Sequence, residues 1–258
     1  MMSQKSEGGE LKMPSGNSLM TLPDGKRPFV PNDPYETDIP PWALKIDHIF
    51  VWNDPRDWSF DIQIIHDALV SNEGYIGTLS PKNGDKSLPN NGWQQGGQPS
   101  LWISNLDLLW KTEYPISRFG TGAFVEALKA VWRAATDGAE LQYEAFGKPL
   151  QRTYEYAQHK LVHMNHKGQP TEQPTPIKRV YMIGDNPESD IRGANEFEPE
   201  DGTEWKSILV RTGVWSPTAL ESEPRYKPDV IVDSVADAIV WAMKNEGVEI
   251  PPGHLKDN

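Results

Sequence analysis

Three side chains in this sequence combine the right types and spacing for phosphate chemistry. Asp185 ends a β-branched and aromatic run, in "VYMIGDNPESDIRGAN" (Val180–Asn195), directly after Gly184. Asp190 follows five residues later, in the first turn of a predicted helix, with Glu188 between them. Upstream, "FGKP" (Phe146–Pro149) holds Lys148 between a glycine and a proline. In doubly wound sheets, ligands sit outside the carboxyl ends of the strands, where a following helix offers free N–H groups and the positive end of its dipole. Two carboxylates there make a hard oxygen site of the kind magnesium takes while keeping waters and sharing a substrate phosphate. A lysine nearby would neutralise phosphate or carboxylate. The same acidic pattern also arises from helix capping and dipole compensation, and a lysine in a turn is commonly just solvated.

Other candidates carry less. His159, His163 and His166 form the main histidine cluster without an HExxH pattern, and read as surface or packing residues. Asp233 and Asp237 flank a predicted strand end and helix start, where capping is expected.

The elements that must position these residues alternate. From about residue 140 the pattern predicts strand, helix, strand, helix, strand, strand, helix. Strands such as "VYMI", "SILV" and "DVIV" are apolar on both faces, which marks a parallel sheet covered on both sides. "PESDIRGANEF" is predicted as one helix and "AELQYEAFGKP" as a strand. Residues 45–137 look like a smaller α/β unit set before that sheet, with strands in "KIDHIFVWN" and "SLWISN" and helices in "FDIQIIHDALVSNEG" and "GTGAFVEALKAVWRAATDG". Residues 138–250 make the main sheet and 251–258 a tail. Residues 1–44, rich in Ser, Gly, Pro and Asn, are expected to be disordered or unrelated to the rest.

Composition narrows the function. The 258 residues include 25 basic and 37 acidic ones, for a net charge of −12. That opposes non-specific binding to nucleic acid. There is no cysteine, which excludes disulfides and thiolate-bound metals. No apolar run is long enough for a membrane span, and no signal or transit peptide is legible.

Together, Lys148 in "GKP", Asp185 and Asp190 in "GDNPESD", and "ILVRTG" (Ile208–Gly213) resemble the haloacid dehalogenase superfamily, subfamily IIA. "DPRDWSFDIQIIHDALVS" and "SNLDLLWKTEYPISRFGTGAFVEAL" narrow the resemblance to the cat-eye-syndrome-critical-region type of hydrolase. It implies a partial α/β fold with a Rossmann-type parallel sheet and a cap-like segment. It also implies a magnesium-dependent phosphatase working through an aspartyl-phosphate on a phosphorylated small molecule. By resemblance, Asp185 and Asp190 belong to the metal site and Lys148 is catalytic. Asn105 and Asp107 stand in the substrate loop, with Leu106 where the family has proline. A mitochondrial location and a link to glycerophospholipid metabolism are implied too, with the cytoplasm as the alternative.

The family's nucleophile is the first Asp of an Asp-x-Asp motif, and no Asp-x-Asp occurs in the 258 residues. The expectation is therefore weak magnesium binding and no autonomous catalysis. Core strands would come from a second copy or a partner. The alternative is a non-catalytic binding or regulatory protein that pairs with a full-length relative.

Overall fold

The computed structural model describes residues 24–165, 177–217 and 223–248. In chain order the elements are β1 (His48–Val51), α1 (Trp58–Val70), β2 (Ser100–Ile103), β3 (Leu109–Trp110), β4 (Arg118–Phe119), α2 (Thr121–Ala135), β5 (Glu144–Ala145) and α3 (Gln151–Asn165). Then come β6 (Arg179–Gly184), α4 (Arg192–Glu196), β7 (Glu204–Val210), β8 (Val230–Val232) and α5 (Val235–Asn245). By their contacts they fall into two compact units, one of residues 1–104 and 124–144, the other of 105–123 and 145–258. The segment 105–123 thus groups with the C-terminal elements.

In the first unit, β1 and β2 run parallel in a sheet of order β1-β2-β5. Leu69, Leu101, Ile103, Phe124, Leu128 and Trp132 are fully buried. Trp132 packs edge-on against His66 and Trp93. Of the stretch expected to be disordered, residues 24–44 are hydrogen-bonded to the unit: Phe29 N–H donates to Ile76 O and Leu79 N–H to Pro34 O. Backbone pairing, rather than a large apolar surface, holds this Pro-rich segment. Residues 1–23 and 251–258 lie outside the described residues.

The second unit is built on a parallel sheet of order β6-β7-β8, in register from Arg179↔Glu204 to Gly184↔Leu209. Alternation along β7 explains its two covered faces. Ile208 and Val210 pack with Ala238 and Trp241 of α5. Leu209 points the other way, to Ile191 and Trp215. Tyr154 of α3 closes that side with Ala194, Phe197, Met182 and Trp205. Gln158 pins α3 to the sheet by donating to Asp201 and Thr203 while accepting from Trp205 Nε1. Among the described residues, β6 is paired only on its β7 side.

Two elements differ from the periodicity. The strand expected over "AELQYEAFGKP" is reduced to Glu144–Ala145, because the backbone groups of Glu140 and Gln142 pair with the side chains of Asn90 and Gln94 instead of with a strand. The single helix expected over "PESDIRGANEF" is a π-helical turn, Pro187–Ile191, followed by α4. Such wide turns recur at functional sites.

Candidate functional site at the carboxyl end of β6

β6 delivers Gly184 and Asp185 to the rim of the sheet, and the π-helical turn folds back over them. Asn186 caps that turn by accepting from Glu188 N–H. Asp190, only 2% exposed, points back to the strand end. Its Oδ2 accepts from the N–H groups of Asp185 and Asn186, both at 3.1 Å. Its Oδ1 accepts from Lys148 Nζ at 2.6 Å. Gly184 makes room for this: a Cβ there would lie 2.3 Å from the Asp190 carboxylate.

Asp185 is held from the other side. Its Oδ2 accepts from Val214 N–H at 2.7 Å, and a Cβ on Gly213 would lie 1.8 Å from that oxygen. Its Oδ1 accepts no hydrogen bond among the described residues. Asp185 opens onto a cleft of about 570 Å³, lined also by Thr212 and Gly213 after β7 and by Lys111, Thr112 and Glu113.

Tyr154 supports the turn from beneath, its hydroxyl within 3.1 Å of the carbonyls of both Ser189 and Asp190. Burial, with Asp190 and Asp107 adding to it, pushes the phenol well above its usual pKa. Asn105 Oδ1 accepts from Asp107 N–H at 3.3 Å, which shapes the loop carrying Asp107. Asp107 meets the turn at Ser189. The serine hydroxyl is close enough to favour the ionised carboxylate, yet no well-formed hydrogen bond joins them. Asp107 Oδ1 and Ser189 Oγ are both buried without a partner.

The electrostatics follow from this crowding. Burial works against charge on Lys148, but the hydrogen bond to Asp190 and the fields of Asp190, Asp107 and Asp185 outweigh it, so its pKa is raised. For Asp107, burial dominates and raises the carboxyl above the usual range, against the pull of Ser189 and Lys148. One ammonium faces three carboxylates, which leaves room for added positive charge.

The five residues singled out in the sequence thus occupy one unit. Lys148, Asp190 and Asp185 are joined directly or through one backbone group, and Asp107 is coupled to them through its electric field. Asn105 acts on its loop. The geometry separates the two carboxylates assigned to a metal. Asp190 is spent on Lys148 and two N–H groups, and Asp185 alone keeps an open oxygen. No group of three or more His, Asp or Glu able to hold a metal occurs among the described residues. A magnesium ion that keeps most of its waters fits Asp185 as a single protein ligand. His163 Nδ1 lies 2.8 Å from His159 O, the contact of a helix surface pair. Asp233 pairs with Arg211, while Ser234 caps α5. Sequence reasoning assigned no role to Tyr154, Ser189 or the Lys111–Glu113 wall, although the last two lie in stretches that carry the resemblance.

The chain is similar to proteins of known family. Residues 145–238 match the HAD-hydrolase-like family. A mitochondrial hydrolase of Saccharomyces cerevisiae is 36% identical over 227 residues, 81% of this chain and 59% of that protein. A fusion protein of Schizosaccharomyces pombe, CMP-forming cardiolipin synthase joined to a mitochondrial hydrolase, is 35% identical over 77% of this chain and 29% of its own length. The chain thus spans little more than half of the first relative and less than a third of the second. Among solved structures, a glycerol phosphate phosphatase of Mycobacterium tuberculosis in complex with magnesium is 25% identical, covering 52% of this chain and 33% of that one, with a TM-score of 0.33.

Proposed function

Because the chain belongs to the haloacid dehalogenase superfamily, we propose that its second unit is the phosphate- and magnesium-binding half of a phosphomonoester hydrolase site. The observation that carries this is Lys148, fixed by buried Asp190 at 2.6 Å beside the open carboxylate of Asp185. Lys148 stays charged and offers its ammonium to phosphoryl oxygens, where charge spreads during transfer. Asp190 orients the lysine and ties it to the strand end. Asp185 would hold magnesium through its open oxygen, and the ion would add positive charge on the phosphoryl group.

What these residues do not supply is an in-line nucleophile, and the sequence holds no Asp-x-Asp to provide one. The proposal is that this chain binds phosphate without turning it over alone. A strand bearing the nucleophile would pair with the edge of β6 that is unpaired among the described residues. Without such a strand the chain acts as a binding or regulatory protein. The names of both yeast relatives support a mitochondrial location, and the cardiolipin synthase fused to the second supports a substrate linked to glycerophospholipid metabolism.

Release of phosphate from an aryl phosphate in magnesium, measured for wild type and Asp185→Ala, tests this. Equal background is expected from both, with phosphate binding lost in Lys148→Ala. Turnover that disappears in Asp185→Ala would make the chain a complete phosphatase and overturn the half-site.

A further inference from the structure

α3 carries a pair of side chains that phosphate binding does not use. His159 and His163 are four residues apart, so they lie one above the other on one face of the helix. Both are exposed, whereas Tyr154 and Gln158, on another row of α3, are buried. The two imidazole rings are close neighbours, with centroids 3.9 Å apart and planes tilted by 39°.

The contact of His163 Nδ1 with His159 O, at 2.8 Å, fixes where one proton sits. A backbone carbonyl only accepts, so Nδ1 must carry the proton and donate it. The neutral ring then keeps its lone pair on Nε2. Metal-bound imidazoles are held in this way, with the nitrogen away from the metal donating to a carbonyl or a carboxylate. The helix supplies the spacing. Two nitrogens bound to one ion at about 2.0–2.1 Å lie within about 4 Å of each other. Rings with centroids 3.9 Å apart reach that separation by rotating exposed side chains, without moving the backbone. The neighbouring charge suits a cation. Glu155 stands one turn before His159 on the same row, its Oε1 accepting from Gln151 Nε2 at 2.9 Å. The ammonium of Lys160 is drawn over the Tyr156 ring, 5.2 Å from its centre.

We propose that His159 and His163 form a surface chelate for a divalent transition-metal ion of the zinc, nickel and copper class, with water completing its coordination. Imidazole suits these ions, whereas magnesium takes oxygen ligands, so this site and Asp185 select different metals. An ion that bridges positions four apart closes one turn of α3 and stabilises the helix. α3 also bears Tyr154, whose hydroxyl meets the carbonyls of Ser189 and Asp190. Occupancy of the chelate therefore supports the turn behind the Lys148–Asp190 pair without touching it.

Calorimetric titration of the full chain with zinc and with copper(II) tests the proposal. The variants are His159→Ala, His163→Ala, both together, and Lys160→Ala on the next row. Each single histidine variant should bind at least ~10-fold more weakly than wild type, because one imidazole alone loses the second, intramolecular ligation step. For the same reason the double variant should add little to either single loss. Lys160→Ala should bind like wild type. Zinc should raise the thermal midpoint of wild type and of Lys160→Ala, and leave that of the histidine variants unchanged. His163→Gln keeps a donor for the His159 carbonyl and should lose zinc as His163→Ala does, which separates chelation from the structural hydrogen bond. Wild-type affinity retained in either single variant overturns the chelate, as does retention in His163→Gln. Displacement of zinc by a comparable concentration of magnesium overturns it too, because the ion would then sit on oxygen ligands elsewhere.

Discussion

Lys148 and Asp190 are 42 residues apart in sequence, and their charged atoms meet at 2.6 Å at the end of β6. The pair is asymmetric: the carboxylate is 2% exposed and the lysine side chain 38%. The carboxylate also satisfies two backbone donors, so its removal strands three groups at once.

Asp190→Ala should therefore cost more than Lys148→Met. Breaking a buried pair costs about 3–5 kcal/mol, and the partial exposure of Lys148 reduces that to roughly 2–3 kcal/mol here. Lys148→Met leaves Asp190 with its two N–H partners and should cost about 1–2 kcal/mol. Urea titrations of the two variants check the order.

The raised pKa of Lys148 sets a pH dependence. Its folded value lies above its unfolded one, so its contribution is complete below the unfolded pKa, near 10.4. That contribution is lost as pH rises through the folded value. Stability should stay level up to about pH 10 and fall above it, and the fall should be shallower in Lys148→Met.

Asp107 works in the opposite pH range. Its folded pKa is also raised, but for a carboxyl this means that ionisation opposes folding. The penalty is complete above the folded pKa, and it fades as pH falls towards the unfolded value near 3.9. Asp107→Asn should stabilise the protein at pH 7 and leave it unchanged near pH 3. Thermal unfolding at the two pH values separates these outcomes.

Gly213→Ala should weaken phosphate and magnesium binding with little change in hydrogen bonding elsewhere. The new Cβ would occupy the place of Asp185 Oδ2, so the carboxylate must rotate away from Val214 N–H. Calorimetry with inorganic phosphate in magnesium should show at least a tenfold loss. Unchanged affinity would remove Asp185 from the site.

Tyr154→Phe should cost about 1 kcal/mol, the net worth of an ordinary hydrogen bond, because ring packing against Phe197 and Trp205 is kept. Gly193→Ala should cost more, since its Cβ would lie 2.2 Å from the Tyr154 hydroxyl and 2.3 Å from its ring. Near-ultraviolet circular dichroism would report the displaced ring.

The parallel sheet was legible because "VYMI" and the "ILV" of "SILV" run without polar alternation, and only a sheet covered on both faces accepts that. Lys148, Asp185 and Asp190 were legible because Gly-Lys-Pro and Gly-Asp fix where those side chains emerge. The division of labour between the two aspartates was not. It depends on a turn that widens by one residue so that Asp190 faces backwards, and no periodicity records such a widening. The wall between β3 and β4 was equally silent: Leu109–Trp110 and Arg118–Phe119 are too short to alternate. Residues 24–44 looked disordered because backbone pairing to distant carbonyls leaves no trace in composition.

The single-sided pairing of β6 bears on handling as well as chemistry. A strand with one free row of amides and carbonyls, and the apolar sequence "VYMI", is a template for further strands of any origin. Charge guards one end of it, where Arg179 is clasped by Glu204 and Glu246. Among the described residues no comparable ion pair guards Met182 and Ile183. Overexpressed alone, the chain should form sheet-rich aggregates with a steep dependence on concentration. A lysine at position 183 should delay them more than one at position 179 would.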